Sequence, residues 1–466
     1  MLAGFRRAVN GALLCLSFGS IFMFYNTGHA LSKLKVEERK AQKAVFPNQI
    51  SVGSFTPHST IVEVAGFRTD AVKAAIHSSN LIGVRGDLQV LLHELTHWFD
   101  FFGTLWGRKY SCAIAKAYRA LERRTEAEFP RLVELFDLDR RILSPAYYRF
   151  TAPPAEPHDK NRPWSIDFAC GAEIDAYGRM DERRPLFLVR FGENPSRNNF
   201  ARQPISPGAL LEVRAIASEM NAGISAIGTA REEGERIVEM AQFRREFESL
   251  VYNHELIEYN AAAHTLAIIA GSKDLVQTYR LAASLAFIAL NMSEEDFSRI
   301  KVPERFKIFG RRNRVLLKNH DCGFAFICLV FNGAAFEGDE NAYISNCLRQ
   351  SNLDTAEAIL MRAADALAEP MYLSNPSEIT SHFMREAMMG GEICKRLASQ
   401  ECQLVTLENV IGDFRAIAPP FMDSEGDFIE LNSGRIDEFQ PEMMHDAAHL
   451  LRSYTRNLLT GCRGLD

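Results

Sequence analysis

The stretch Arg85-Gly86-Asp87-Leu88-Gln89-Val90-Leu91-Leu92-His93-Glu94-Leu95-Thr96-His97-Trp98-Phe99-Asp100-Phe101-Phe102-Gly103 decides how this chain is read. Leu88, Leu91, Leu92, Leu95, Phe99 and Phe102 recur at three- and four-residue spacing, which predicts one amphipathic or buried helix. Gly86-Asp87 is the expected N-cap and Gly103 the expected stop. On such a helix His93 and His97 stand one above the other, and Glu94 emerges one residue beyond the first imidazole.

Two imidazoles one turn apart can grip a single divalent cation, and a carboxylate beside them can take a proton from water held there. With these residues, Leu92-His93-Glu94-Leu95-Thr96-His97-Trp98 resembles the H-E-x-x-H helix of the zincin metallopeptidases. The metzincin branch needs a glycine and a third histidine where this chain has Asp100 and Gly103, so the resemblance is to the gluzincin-like group. It implies Zn2+ as cofactor, His93 and His97 as ligands, Glu94 as general base and a glutamate from a second helix as third ligand. The bland alternative is an ordinary amphipathic helix with two histidines and no metal.

Three glutamates compete for the third position. Glu212, in Leu210-Leu211-Glu212-Val213-Arg214-Ala215-Ile216, has small, apolar face neighbours, and a carboxylate on such a face needs a cation or a strong donor. Its segment also looks like the glutamate helix of bacterial H-E-x-x-H proteins, and it is the first choice. Glu258, in His254-Glu255-Leu256-Ile257-Glu258-Tyr259, is followed by alanines and flanked by His254 and His264, which makes it a rival. Glu173 is the third candidate, although its surroundings alternate like a strand. Each could instead form a salt bridge, Glu212 with Arg214 among others. Asp100 could bond a ligand or cap the helix, and Tyr252 or Tyr259 could offer a phenol. His445 and His449 repeat the four-residue spacing without the glutamate and read as a packed helix face.

Working outward, a charged helix is expected at residues 33–43 and a strand at Thr60 to Val64. One helix is expected from Ala113 to Phe136, and a hairpin from two runs, 164–177 and 185–191. Ser206 and Pro207 open a helix expected to stop at Gly223. Further helices are read at 231–250 and 252–270, with mostly helical sequence from about Leu281. Residues 322–336 read as a core segment, and Lys307 to Arg314 as a solvated surface loop. The fold class is therefore α+β and helix-rich. A zincin-like metal-binding domain with a small sheet is expected at 46–275, between an N-terminal segment at 1–45 and a helical C-terminal domain at 276–466.

Of the 466 residues, 47% are hydrophobic and 24% charged, with a net charge of −6, so no broad nucleic-acid footprint is expected. Nine cysteines without a C-x-x-C pair fit reduced thiols and a reducing compartment. Arg6 and Arg7 precede an apolar run over 11–25, which reads as a signal or membrane anchor, or as a buried helix of a cytoplasmic protein; the second is favoured. No Walker loop, dinucleotide fingerprint or nucleophile elbow is present. The leading expectation is a zinc-dependent hydrolase acting on a peptide or protein. The alternatives are a non-catalytic, zinc-stabilised binding protein and a membrane-anchored protease.

Overall fold

A computed structural model describes residues 53–123, 125–143, 148–155, 164–174, 178–194, 196, 198–423, 426–429 and 441–461. The N-terminal apolar run and the helix expected at 33–43 lie outside them. Strands β1 (Gly53–Thr56) and β2 (Ile61–Val64) are followed by α1 (Thr69–Ser78), α2 (Arg85–Gly103), α3 (Leu105–Arg123) and α4 (Phe129–Leu143). Then come β3 (Phe150–Thr151), β4 (Ser165–Ile174), β5 (Met180–Gly192) and β6 (Asn199–Pro204), followed by α5 (Pro207–Gly228), α6 (Glu233–Val251), α7 (Ile257–Ala270) and α8 (Leu275–Leu290). The remainder is α9 (Glu294–Arg299), α10 (Arg311–Lys318), α11 (Cys322–Asn332), α12 (Glu340–Gln350), α13 (Ala356–Ala368), α14 (Glu378–Met388), α15 (Gly390–Ala398), α16 (Leu407–Ile411), β7 (Phe421–Met422), β8 (Phe428–Ile429) and α17 (Pro441–Gly461).

Among the described residues the architecture is helix-rich α+β with two small sheets. The first has the order β1-β2-β7-β8, with β1 antiparallel to β2 and β7 parallel to β2, pairing Val62 with Phe421. The second has the order β3-β6-β5-β4, built on the long antiparallel hairpin that joins β4 to β5. One apolar cluster runs from Phe55 through α2, α5 and α8 to Leu451. No described helix is long and apolar enough to cross a membrane.

Several boundaries differ from those expected, each for a local reason. The motif helix starts at Arg85, and Asp87 sits in its first turn, accepting from the Arg68 backbone N–H at 3.0 Å. The helix expected over 113–136 is two helices. Thr104 opens α3, its hydroxyl accepting from Gly107 N–H at 3.0 Å, and Pro130, which lacks an N–H, falls in the first turn of α4, where none is needed. Ser206 caps α5 as expected, but the helix continues to Gly228. Gly223 permits close packing instead, since a Cβ there would lie 2.5 Å from Phe243. Residues 252–256 are not part of α7; Asn253 accepts from Glu255 N–H and caps a short turn there. The basic run at 307–314 is largely helical rather than a loop, and Arg312 donates to the Glu182 carboxylate and the Cys170 carbonyl.

α2 lies between the first sheet and α5, and it is buried nearly all round. Its contact with α5 is fixed by an ion pair. Arg214 donates through Nε to both carboxylate oxygens of Asp100, at 2.9 and 2.8 Å, and neither side chain touches solvent. Its remaining nitrogens donate to the carbonyls of Ala283 and Gln403, and the guanidinium lies 4.2 Å from the Phe287 ring centre. Removing one partner of such a pair strands the other charge in the core, which costs about 3–5 kcal/mol. Asp100→Leu is therefore expected to destabilise the chain by about that much, and Asp100→Leu/Arg214→Met by much less than the sum of the single changes, as read from urea denaturation midpoints.

Candidate metal centre

His93 and His97 project from the middle of α2 with ring centres 5.0 Å apart. Glu212 projects from the second turn of α5, the helix that Arg214 ties to α2. Its Oε2 lies 3.5 Å from His93 Nε2 and 3.6 Å from His97 Nε2. These separations are long for hydrogen bonds, but close to the roughly 3.4 Å that a tetrahedral ion imposes on two ligand atoms held about 2.1 Å from it. His93, His97 and Glu212 form the one group of metal-ligating side chains among the described residues whose donor atoms all lie within 4.8 Å of each other. His93 Nε2 and Glu212 Oε2 are buried and have no hydrogen-bond partner. A donor set of two imidazoles and a carboxylate, with donor atoms at these separations, fits zinc.

Glu219, which the sequence reading did not single out, completes the arrangement. It stands seven residues after Glu212, two turns on and hence on the same face of α5, and its Oε2 accepts from His93 Nδ1 at 3.1 Å. With an ion bound, that bond would keep the ring proton on Nδ1 and leave the Nε2 lone pair for the metal on the side facing Glu212, as outer carboxylates do for histidine ligands. Period alone could have found it, because two glutamates spaced by two turns on an otherwise apolar helix share one stripe.

Glu94 shares the buried space. Burial pushes its carboxyl up to about 7, against the pull of His93 and His97. Gly53 on β1 lies over it, and a Cβ at that position would sit 2.8 Å from the Glu94 side chain, so the strand approaches only because the residue is glycine. Burial also disfavours a charged His93 and an ionised Glu212. Carboxylates around His93 nevertheless hold its imidazole above its usual range, and the two imidazoles hold Glu212 below the usual carboxylate range. His93, Glu94, His97, Glu212 and Glu219 are all 3% exposed or less, and a cavity of about 30 Å³ beside His93, Glu219 and Tyr259 has room for about two waters.

The rival glutamates are taken by arginines, and the other histidines lie elsewhere. Glu258 pairs with Arg149, and Glu173 pairs with Arg140 at 3.1 Å and Arg184 at 3.5 Å. His264 Nε2 bonds the Val251 carbonyl at 2.9 Å, while His254 lies in the short turn before α7. Arg214 takes Asp100 rather than Glu212, which assigns Asp100 to the helix contact and not to a cap. The Tyr259 phenol is held well above its ordinary range by burial and by Glu212, Glu258 and Glu94, whereas the Tyr252 ring packs on Trp164 and His264. His445 and His449 are exposed on α17.

No protein-family model, no curated protein and no solved structure matches this chain.

Two expectations follow from the centre. Glu219→Gln is expected to weaken zinc affinity about 10- to 100-fold in a chelator competition, while Glu258→Gln and Glu173→Gln leave it unchanged. Zinc requires a neutral imidazole, and the metal-free His93 carries a second ring proton at neutral pH because its pKa is raised. Zinc uptake at pH 7 is therefore expected to release protons and to weaken as pH falls; titration calorimetry in buffers of different ionisation heat measures the release.

Proposed function

We propose that the protein is a zinc-dependent hydrolase of the gluzincin-like type, acting on a peptide or protein substrate. The observation that carries this reading is the convergence of Glu212, from a second helix, on the Nε2 atoms of both motif histidines. His93, His97 and Glu212 would hold the ion, leaving a fourth position for water or substrate. When bound, zinc lowers the pKa of its water towards about 7 and polarises a carbonyl under attack.

The chain's own residues supply the proton handling. Glu94 would act as general base; burial raises its carboxyl to about 7, a range where it can accept a proton and later return it to a leaving amine. Glu219 positions His93 through Nδ1, and Asp100 with Arg214 ties together the two helices that carry His93, Glu94, His97, Glu212 and Glu219. The substrate class rests on the resemblance of residues 92–98. Residence in the cytoplasm is supported by thiols at 170, 322, 328, 347, 394 and 402 that are buried and unbridged.

A second reading draws on one observation, the depth of the centre. A site with every ligand at 3% exposure or less and space for about two waters beside it also suits a zinc ion that braces α2 against α5 without catalysis. The readings separate experimentally. Under the hydrolase reading, Glu94→Gln retains one zinc per chain, leaves the thermal midpoint within a few degrees, and lowers peptide hydrolysis by about 10²–10⁴-fold. If wild-type protein loaded with zinc cleaves nothing in a mixed peptide library, while His93→Ala unfolds the chain, the bracing role stands and the hydrolase reading fails.

A further inference from the structure

A cavity of about 440 Å³ lies apart from the metal centre, and none of the centre's residues lines it. It opens where α3, α4, β5, the start of α5, α9 and the turn before α11 meet. Its volume falls within the roughly 300–1,000 Å³ of small-molecule sites. The floor is apolar, formed by Phe187, Ile205, Leu290 and Phe297, each buried.

The charged groups around it are unequally committed. Glu173 is taken by Arg140 and Arg184. The Asp321 carboxylate accepts from the Phe324 N–H at 2.7 Å and so caps α11, and Glu294 is turned to solvent with His320 3.7 Å away. Of the cations, Lys109 has no carboxylate within ion-pair distance among the described residues. Arg141 has one partner, Asp137, one turn before it on α4 at 3.2 Å. The rest of the lining is mixed, with Arg184, Asn319 and His320 beside these groups. An apolar floor with two weakly committed cations on the wall above it suits a molecule with an anionic head and an apolar body.

We infer that this cavity binds a medium-chain acyl carboxylate, its chain against Phe187, Ile205, Leu290 and Phe297 and its head between Lys109 and Arg141. The inference is independent of the metal centre. The experiment is titration calorimetry of the full chain with decanoate, with decan-1-ol and decyltrimethylammonium as probes of equal chain length. Decanoate is expected to bind one to one with Kd below about 1 mM, at least tenfold tighter than either probe, and equally well after chelation of zinc.

Lys109→Glu and Arg141→Glu, both at solvent-accessible side chains, are each expected to weaken decanoate at least tenfold with an unchanged thermal midpoint. Lys109→Gln is expected to give a smaller loss in the same direction. Absence of saturable decanoate binding by the folded chain, equal binding of the cationic probe, or unchanged affinity in both charge-reversed variants would each overturn the assignment. Loss of decanoate binding on chelation alone would overturn its independence from the metal centre.

Discussion

Burying charge between two helices is the constraint on which the rest of the structure depends. α2 and α5 bring Asp100, Arg214, His93, Glu94, His97, Glu212 and Glu219 into one contact buried from bulk solvent. An isolated charge in such a place is costly, so each of these groups needs another to answer it. Arg214 answers Asp100 and spends its other donors on two carbonyls, one of them at Gln403. The imidazoles answer Glu212 and Glu219. Three carboxylates against two imidazoles leave the inner group short of positive charge, and a divalent cation is the simplest complement.

The ion pair and the ligand cluster divide the labour along the same interface. Asp100 and Arg214 form a bonded pair that sets where the two helices cross. The metal-ligating side chains one and two turns away along α2 are held by that crossing, with Glu212 Oε2 3.5 Å from His93 Nε2 and 3.6 Å from His97 Nε2. A metal centre needs such preorganisation, because ligand atoms free to bond one another would have to be separated before an ion could enter. β1 contributes from the other side, where Gly53 lets the strand close over Glu94 and shield it from solvent. The result is a buried cluster of two imidazoles and carboxylates whose donor atoms face one another.

The cavity between α3, α5 and α9 belongs to a different part of the design. It sits at the opening of α5 rather than at its middle, where Ser206 and Pro207 begin the helix. Its polar groups are mostly occupied by local duties, Asp321 as a cap and Glu173 as an ion-pair partner, which leaves Lys109 as the freest charge on its wall. Charge there is distributed by surface electrostatics rather than by the dense mutual satisfaction seen around His93.

Much was legible in the order of residues. The apolar repeat of 88–102 located the motif helix to within a few residues, Ser206-Pro207 gave the start of α5, and the two alternating runs gave the β4–β5 hairpin, because hydrophobic period, capping chemistry and strand alternation are all local. Helix ends were less legible: α5 runs through Gly223, and the 113–136 stretch breaks near Pro130, since packing decides whether a glycine stops a helix or lets a neighbour close in. The pairing of charges was not legible at all. Glu212, Glu258 and Glu173 carry the same E-x-x-A pattern, and Arg214 stands two residues from Glu212, yet Glu212 faces the imidazoles while Arg149, Arg140 and Arg184 take the other two and Arg214 reaches Asp100. The sequence by itself determined which helix offers two imidazoles and a carboxylate on one face, a property of spacing along a single helix. Only the tertiary structure decided which distant carboxylates meet them, because that depends on how two helices cross, and a crossing is set by packing and charge burial across more than a hundred residues of intervening chain.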